Sequence, residues 1–202
     1  MYGDSTTAGL EFIDGKYINT VNSVPSDLWQ LLDHALGETV TVVAAGHTGA
    51  TVRDVLDGTN GFTVPFAQAV LTDKGQVIDV NFAINDYNQY SVEEFRQYLT
   101  TFVVLAQSAG KTVVIEEPNP QCNKTTGQEV VSASPGTSPM VPVIDQIGVS
   151  LNAPVVHQYS AILAIPGWCS MLTDGTHPND ALYQIKAQNS ANVLIPIVKG
   201  LQ

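Results

Sequence analysis

The chain has 202 residues, of which 44% are apolar and 13% charged, and 19 Asp and Glu outweigh 8 Lys and Arg to give a net charge of −11. This length and apolar content suffice for one folded domain over residues 1–202 and argue against disorder. The acidic excess argues against a nucleic-acid partner, because clustered Lys and Arg bind phosphates, and no apolar stretch reaches the roughly 18 residues of a membrane span.

Apolar spacing along the chain predicts alternating strands and helices. Ser91 with Glu94 forms a capping-box pattern that begins the clearest helix, and Gly110 ends it. Pro196 is expected to kink or end the last helix. The other predicted helices cover 25–36, about 51–56, about 64–71, 140–151 and 180–199. The predicted strands cover 39–45, 77–83, 112–115 and 154–157, and a long loop covers 119–137.

Strands that alternate with helices of this length predict a parallel sheet with helices on both faces. If Ser5 follows a strand, only Met1 and Tyr2 remain to form it, so this first strand is truncated at the N-terminus. Either the natural protein extends upstream or the sheet is built differently. Residues 1–5 have neither a basic nor an apolar region, so no signal peptide is predicted.

Functional residues of a parallel sheet are expected at the carboxyl ends of its strands. Polar clusters stand there at 3–5, 46–49 and 85–86, while the motifs of α/β-hydrolases, nucleotide-binding loops and zinc proteases are missing from the sequence. Near the C-terminus, Asp174 precedes His177 by one turn. A carboxylate so placed accepts the Nδ1–H of the imidazole and leaves Nε2 as a base.

A serine hydroxyl is a weak nucleophile at neutral pH and needs such a base. Ser5 stands in a tight Gly-Asp-Ser turn and is the candidate nucleophile. The tetrahedral intermediate also needs donors for its oxyanion. The N–H groups of Ser5 and Gly49 and the side-chain amide of Asn85 are the candidate donors, with Gly46 as a rival to Gly49.

Four short blocks of the chain, taken in order, resemble the SGNH hydrolases, also called the GDSL esterase/lipase superfamily. The first block, 3–6, reads Gly-Asp-Ser-Thr, with Thr in place of the commoner Leu. The second contributes Gly49. The third, 83–86, reads Ala-Ile-Asn-Asp, with Ala83 where the family usually has Gly. The last, 174–177, reads Asp-Gly-Thr-His.

The resemblance implies an α/β fold, a flavodoxin-like three-layer α/β/α sandwich with a mostly parallel central sheet of about five strands. It implies a serine esterase with Ser5 as nucleophile, His177 as base and Asp174 as its orienting carboxylate. Ser5, Gly49 and Asn85 would form the oxyanion hole. No metal or organic cofactor is implied.

The polar character of the loop at 119–137 favours a small-molecule or carbohydrate ester with a short, acetyl-like acyl group. The alternatives are a lipase, thioesterase or acyltransferase of the same superfamily, or a non-catalytic carbohydrate-binding accessory domain. Retention of Ser5, Asn85, Asp174 and His177 argues against the last of these.

Cys122 and Cys169 are the only cysteines, and their separation excludes a short metal-binding or redox motif. They are either two buried thiols of a cytosolic protein or one disulfide, which their polar, Pro- and Gly-containing surroundings favour. An extracellular or periplasmic location follows only if they pair.

Overall fold

A five-stranded parallel sheet lies at the centre of the computed structural model, which describes residues 1–37, 40–129 and 138–201. Its strands are ordered β4-β1-β5-β6-β7. A separate antiparallel hairpin, β2–β3, stands outside this sheet. The strands are β1 (Tyr2–Gly3), β2 (Leu10–Ile13), β3 (Lys16–Asn19), β4 (Ala45–Gly46), β5 (Val77–Asn81), β6 (Thr112–Glu116) and β7 (Val155–Val156).

Eight α-helices within the described residues connect and cover these strands. They are α1 (Val24–Leu36), α2 (Val52–Asp57), α3 (Phe66–Thr72), α4 (Asp86–Gln89), α5 (Val92–Ser108), α6 (Val141–Ser150), α7 (Gln158–Leu163) and α8 (Asp180–Lys199). Ser91 caps α5 with Glu94 in a reciprocal capping box, as the sequence predicted. None of these helices is both long and apolar enough to cross a bilayer.

Alternate residues of the strands face two apolar cores, one on each side of the sheet. Val113 and Ile115 of β6 pack in the core beneath α5 and α6, whereas Val114 packs in the core formed with α1 and α8. Because successive strand side chains point to opposite faces, both faces of the sheet are covered. The three-layer α/β/α sandwich predicted from the sequence is thereby confirmed.

The prediction of a buried strand over 39–45 was wrong. Only Ala45 and Gly46 pair, and they pair with Tyr2 and Gly3 of β1. The preceding residues from Val40 to Ala44 are half-buried or exposed and lie outside any strand, while Thr39 lies outside the described residues. Because β1 has only two residues, the β-branched residues before Ala45 have no neighbouring strand with which to form backbone hydrogen bonds.

The last helix, α8, spans the predicted 180–199, and it continues through Pro196 to Lys199, so the expectation that Pro196 could end it was wrong. The missing N–H of Pro196 removes a single helical hydrogen bond within the last turn, where the helix is about to end.

The part of the predicted long loop at 130–137 lies outside the described residues.

Candidate active site

Three side chains from the two ends of the chain form one continuous hydrogen-bonded line. Ser5 Oγ lies 3.0 Å from His177 Nε2, and His177 Nδ1 lies 2.7 Å from Asp174 Oδ2. Ser5 is buried, and the side chains of His177 and Asp174 keep only a small exposed fraction. A serine, an imidazole and a carboxylate thus stand in the order that nucleophilic catalysis requires.

The carboxylate of Asp174 decides how the protons are arranged along this line. An ionised carboxylate only accepts hydrogen bonds, so the proton between Asp174 and His177 belongs to Nδ1 of the ring. In the neutral imidazole, Nε2 then accepts from the Ser5 hydroxyl. Burial alone would raise the pKa of Asp174, but hydrogen bonds from the His177 ring and from the N–H groups of His177 and Thr176 outweigh burial and lower it.

A tight turn from Asp174 to His177 holds the carboxylate beneath the imidazole. The N–H groups of Thr176 and His177 donate to Asp174 Oδ1 at 2.9 and 2.8 Å. Gly175 has φ +94°, and a Cβ there would lie 2.4 Å from the carbonyl oxygen of Cys122. Only glycine therefore fits this turn.

The turn that carries Ser5 follows β1 directly and is fixed by Asp4. Thr6 donates to Asp4 Oδ1 from its N–H at 2.8 Å and from its hydroxyl at 3.0 Å. A Cβ at Gly3 would lie 2.0 Å from Thr7 Oγ1, so the turn closes only over glycine. Asp4 acts on the loop and lies in no hydrogen bond with Ser5 Oγ or His177 among the described residues.

The three predicted oxyanion donors lie just after the ends of three neighbouring strands. Gly49 follows β4 and Asn85 follows β5, while Ser5 follows the β1 strand between them. Asn85 Nδ2 donates to the carbonyl oxygen of Ala50 at 3.0 Å, which ties it to the Gly49 turn. Within the described part of the chain, the N–H groups of Ser5 and Gly49 donate to no acceptor.

Ala83, at the usual glycine position of the third block, has a backbone that favours glycine. Its φ is +134°, which side-chain-bearing residues rarely adopt, and it is fully buried. Strain of this kind persists only where the surrounding structure imposes it. Asp86 contributes to this by accepting the Val52 N–H at 2.9 Å, which joins the third block to α2.

Tyr17, on the β2–β3 hairpin, is a neighbour of the site that the sequence analysis missed. Its hydroxyl donates to Asp174 Oδ2 at 3.2 Å, and its ring lies edge-on to the His177 ring with centroids 5.5 Å apart. The hairpin is held there because the Phe12 N–H donates to Thr173 Oγ1 at 3.0 Å. The Asp14-Gly15 turn is the sequence signal for this hairpin.

Cys122 and Cys169 are joined by a disulfide. It links the segment after β6 to the segment that leads into Asp174. The Cys122 N–H also donates to the carbonyl oxygen of Gly175 at 2.8 Å. The disulfide therefore supports the turn that carries the His177 imidazole.

His157, which follows β7, has carboxylate neighbours that its local sequence did not reveal. His157 Nδ1 lies 2.9 Å from Glu117 Oε1 and 3.6 Å from Asp145 Oδ1. Neither carboxylate is close to it in sequence, and among the described residues His157 makes no hydrogen bond with Ser5. His157 is therefore outside the hydrogen-bonded line of the triad.

Comparisons with known proteins agree with this architecture. The model of the GDSL-like lipase/acylhydrolase family matches residues 1–185. None of the curated proteins matches the chain in sequence. A lipase/acylhydrolase from Enterococcus faecalis is 24% identical with a TM-score of 0.73, covering 96% of this chain and 93% of that one.

Two further solved structures of similar fold are named as acetyl esterases. Axe2, an acetylxylan esterase from Geobacillus stearothermophilus, is 20% identical with a TM-score of 0.71 over 95% of this chain and 90% of that one. A carbohydrate acetylesterase family member from Sinorhizobium meliloti is 18% identical with a TM-score of 0.68, over 96% and 94%. From the family match, the chain belongs to the GDSL-like lipase/acylhydrolase family and is a carboxylic ester hydrolase.

Proposed function

We propose that this protein is a serine esterase that works through an acyl-enzyme on Ser5. The observation that carries the proposal is the unbroken line Asp174–His177–Ser5, with both hydrogen bonds at 3.0 Å or less. A buried hydroxyl beside an oriented imidazole is the arrangement that makes serine nucleophilic at neutral pH.

In the first half of the reaction, Ser5 Oγ attacks the ester carbonyl carbon while His177 Nε2 takes the hydroxyl proton. The tetrahedral intermediate collapses, the bond to the leaving alcohol breaks, and the imidazolium returns the proton to that alcohol. In the second half, His177 takes a proton from water, and the water oxygen attacks the carbonyl carbon of the acyl-enzyme. The bond to Ser5 Oγ then breaks, the imidazolium returns the proton to Ser5 Oγ, and the acid is released. The half-buried, ionised Asp174 stabilises the imidazolium in both halves.

The oxyanion of both intermediates is assigned to donors on three neighbouring strand ends. The Ser5 and Gly49 N–H groups have no other acceptor among the described residues. The Asn85 amide uses one N–H on the Ala50 carbonyl, which orients the group and leaves its second N–H for the oxyanion. Removing one such donor costs about 10²–10³-fold in kcat in a related chemistry.

We assign the substrate to short acyl groups on polar or carbohydrate alcohols. Two structures of similar fold are named as acetyl esterases. Polar side chains also follow β6 beside the catalytic turn: Asn119 Nδ2 and Gln121 Nε2 donate to Thr176, at 2.9 Å each. Asn119 is fully buried, but the partly exposed amide of Gln121 offers a polar contact that suits a hydroxylated leaving group better than a long acyl chain.

Hydrolysis of p-nitrophenyl acetate by the wild type, by Ser5→Ala and by Ser160→Ala tests the nucleophile. Ser160 is exposed on α7 and serves as the matched control. We expect Ser5→Ala to lose turnover and fluorophosphonate labelling while Ser160→Ala keeps both. Unchanged hydrolysis by Ser5→Ala would refute the mechanism, and a wild type that neither turns over nor labels would point to a non-catalytic binding domain.

A comparison of acetyl with octanoyl esters tests the acyl preference, and we expect the acetyl ester to have the higher kcat/KM. Faster octanoyl turnover would favour a lipase or thioesterase. Product analysis with an added acceptor alcohol separates hydrolysis from acyl transfer, because a transferase would form the new ester.

A further inference from the structure

A second cluster of polar side chains lies at the β6–β7 side of the sheet. Glu117 follows β6, His157 follows β7, and Asp145 lies on α6. His157 Nδ1 is 2.9 Å from Glu117 Oε1 and 3.6 Å from Asp145 Oδ1. The three atoms lie within 4.8 Å of one another. One imidazole nitrogen and two carboxylate oxygens from separate elements thus converge.

Asp145 Oδ1 is an acceptor that no donor among the described residues satisfies. This atom is buried and, within residues 1–37, 40–129 and 138–201, accepts no hydrogen bond. Its 3.6 Å separation from His157 Nδ1 is too long for one. A buried carboxylate oxygen without a partner is unfavourable and calls for an unseen donor or ion. A cation between Asp145 Oδ1 and His157 Nδ1 would contact both atoms.

Glu117 is held in the orientation that a ligand needs. Its side chain is buried, and its Oε2 accepts the Tyr159 N–H at 2.9 Å. This contact turns Oε1 toward His157. A hydrogen bond to the far oxygen of a carboxylate is the kind of support that fixes metal ligands in proteins.

Solvent reaches the cluster from one side. A cavity of about 460 Å³ adjoins it and is lined by Asp145 and His157, together with Asn152 and Pro154. The His157 side chain is 62% exposed. Water can therefore complete the coordination of an ion, as at sites with three protein ligands and an open position.

We propose that Glu117, Asp145 and His157 form a binding site for one divalent transition-metal ion, with Zn²⁺ as the best chemical match. Imidazole nitrogen with carboxylate oxygens suits Zn²⁺ and its neighbours, whereas Ca²⁺ and Mg²⁺ prefer oxygen alone. The ion would link β6, α6 and the start of α7. It takes no part in ester hydrolysis and does not depend on the proposed function.

Isothermal titration of the chelator-treated full chain with ZnCl₂ tests this site. We expect one Zn²⁺ per chain in the wild type and a Zn²⁺-dependent rise in the thermal unfolding midpoint. His157→Ala is expected to weaken binding by more than about tenfold. His34→Ala, exposed on α1, is the matched control and should bind as the wild type does, which separates this site from general histidine affinity.

Glu117 is buried, so Glu117→Gln has the risk of misfolding. Asp145→Asn, on the partly exposed face of α6, removes a ligand charge without that risk and should weaken binding to a similar degree. Absence of stoichiometric Zn²⁺ binding to the wild type would overturn the proposal. Equal Zn²⁺ affinity in the wild type, His157→Ala and Asp145→Asn would also overturn it, because the ion would then be held elsewhere.

Discussion

Asp174 accepts four hydrogen bonds, two on each carboxylate oxygen. Oδ1 accepts the N–H groups of Thr176 and His177, and Oδ2 accepts the His177 ring and the Tyr17 hydroxyl. Together these contacts keep the carboxylate ionised in a half-buried site. Asp174 therefore does two things: its negative charge stabilises the imidazolium form of His177, and its hydrogen bond fixes the position of the imidazole ring.

Asp174→Asn should leave the fold intact and remove most of the activity. An amide has nearly the same shape but cannot hold His177 with its proton on Nδ1, so Nε2 is no longer a dependable acceptor for Ser5. We expect kcat to fall by on the order of 10³–10⁴-fold, as in serine-protease triads. Steady-state kinetics measure this, with Asp33→Asn, exposed on α1, as control. A loss below tenfold would contradict the orienting role.

The Tyr17→Phe substitution tests the contribution of the Tyr17 hydroxyl alone, because it removes the hydroxyl and keeps the aromatic ring. The Asp174 carboxylate raises the pKa of Tyr17, so the phenol remains a donor. Without that donor, Asp174 Oδ2 presents more charge to the imidazolium, and the acid limb of the kcat/KM profile should move to higher pH. We expect less than a tenfold change in kcat itself. A pH profile identical to that of the wild type would show that the hydroxyl has no influence on the triad.

Asp86→Asn tests a carboxyl group that the native fold keeps partly protonated. Burial raises the pKa of Asp86 to about 7, helped by the nearby Asp4 carboxyl. The native state thus binds this proton more tightly than the unfolded chain does. The contribution of protonated Asp86 to the free energy of unfolding is complete below about pH 4 and is lost as the pH rises through 7. Asn keeps an acceptor for Val52 but cannot ionise. In urea unfolding, the variant should gain stability relative to the wild type between pH 5 and pH 8; a constant difference would contradict the assignment.

Among the secondary-structure elements, the regular helices were the most predictable. The Ser91 and Glu94 pattern predicted the start of α5, because capping is a local interaction, and Gly37 caps the end of α1 at the predicted boundary of 36. The strand at 39–45 was mispredicted because pairing depends on a partner: β1 provides only Tyr2 and Gly3. The pattern of residues 39–45 contains no information about the length of β1, which is distant in sequence.

Gly15→Ala tests the hairpin through its turn. Asp14 and Gly15 both have positive φ, +50° and +76°, as a two-residue hairpin turn requires. Nothing lies within 4 Å of a Cβ at Gly15, and the same holds for Gly110, which has φ +78° at the end of α5. Both alanine variants should lose about 1 kcal/mol of stability from the strained backbone.

Only the Gly15→Ala variant is expected to change kcat/KM, because its hairpin carries Tyr17. Chemical denaturation and ester hydrolysis of the two variants measure the two effects separately. An equal effect of Gly15→Ala and Gly110→Ala on kcat/KM would show that the hairpin acts only through global stability.

Across the whole molecule, the sequence singled out the three residues of the proposed triad but not the residues that contact them. Ser5, Asp174 and His177 stand in short blocks with local meaning, and the parallel sheet rule places the strand-end residues at one edge. Tyr17 reaches Asp174, and Glu117 reaches His157, across long stretches of chain. Contacts of this kind follow from tertiary packing, which no local pattern encodes.

The disulfide joins two such distant segments, and its removal should affect stability and activity together. The Cys122–Cys169 pair closes a loop with a sequence separation of 47, and restricting that loop in the unfolded chain is worth about 4 kcal/mol by the chain-entropy estimate. For a chain of this size, that corresponds to a fall of roughly 8–16 °C in the thermal unfolding midpoint. Lys124, next to the disulfide, also donates to the Leu172 carbonyl oxygen at 2.7 Å.

Thermal unfolding and ester hydrolysis, each with and without reductant, measure the two effects. Reduction frees the segment before Asp174, so we expect activity to fall at temperatures where the reduced chain is still folded. The double variant Cys122→Ser/Cys169→Ser should behave as the reduced protein does and should not respond to reductant. Two free thiols in the mass spectrum of the native protein, or an unfolding midpoint that reductant leaves unchanged, would contradict this role, because the catalytic turn would then be held by its hydrogen bonds alone.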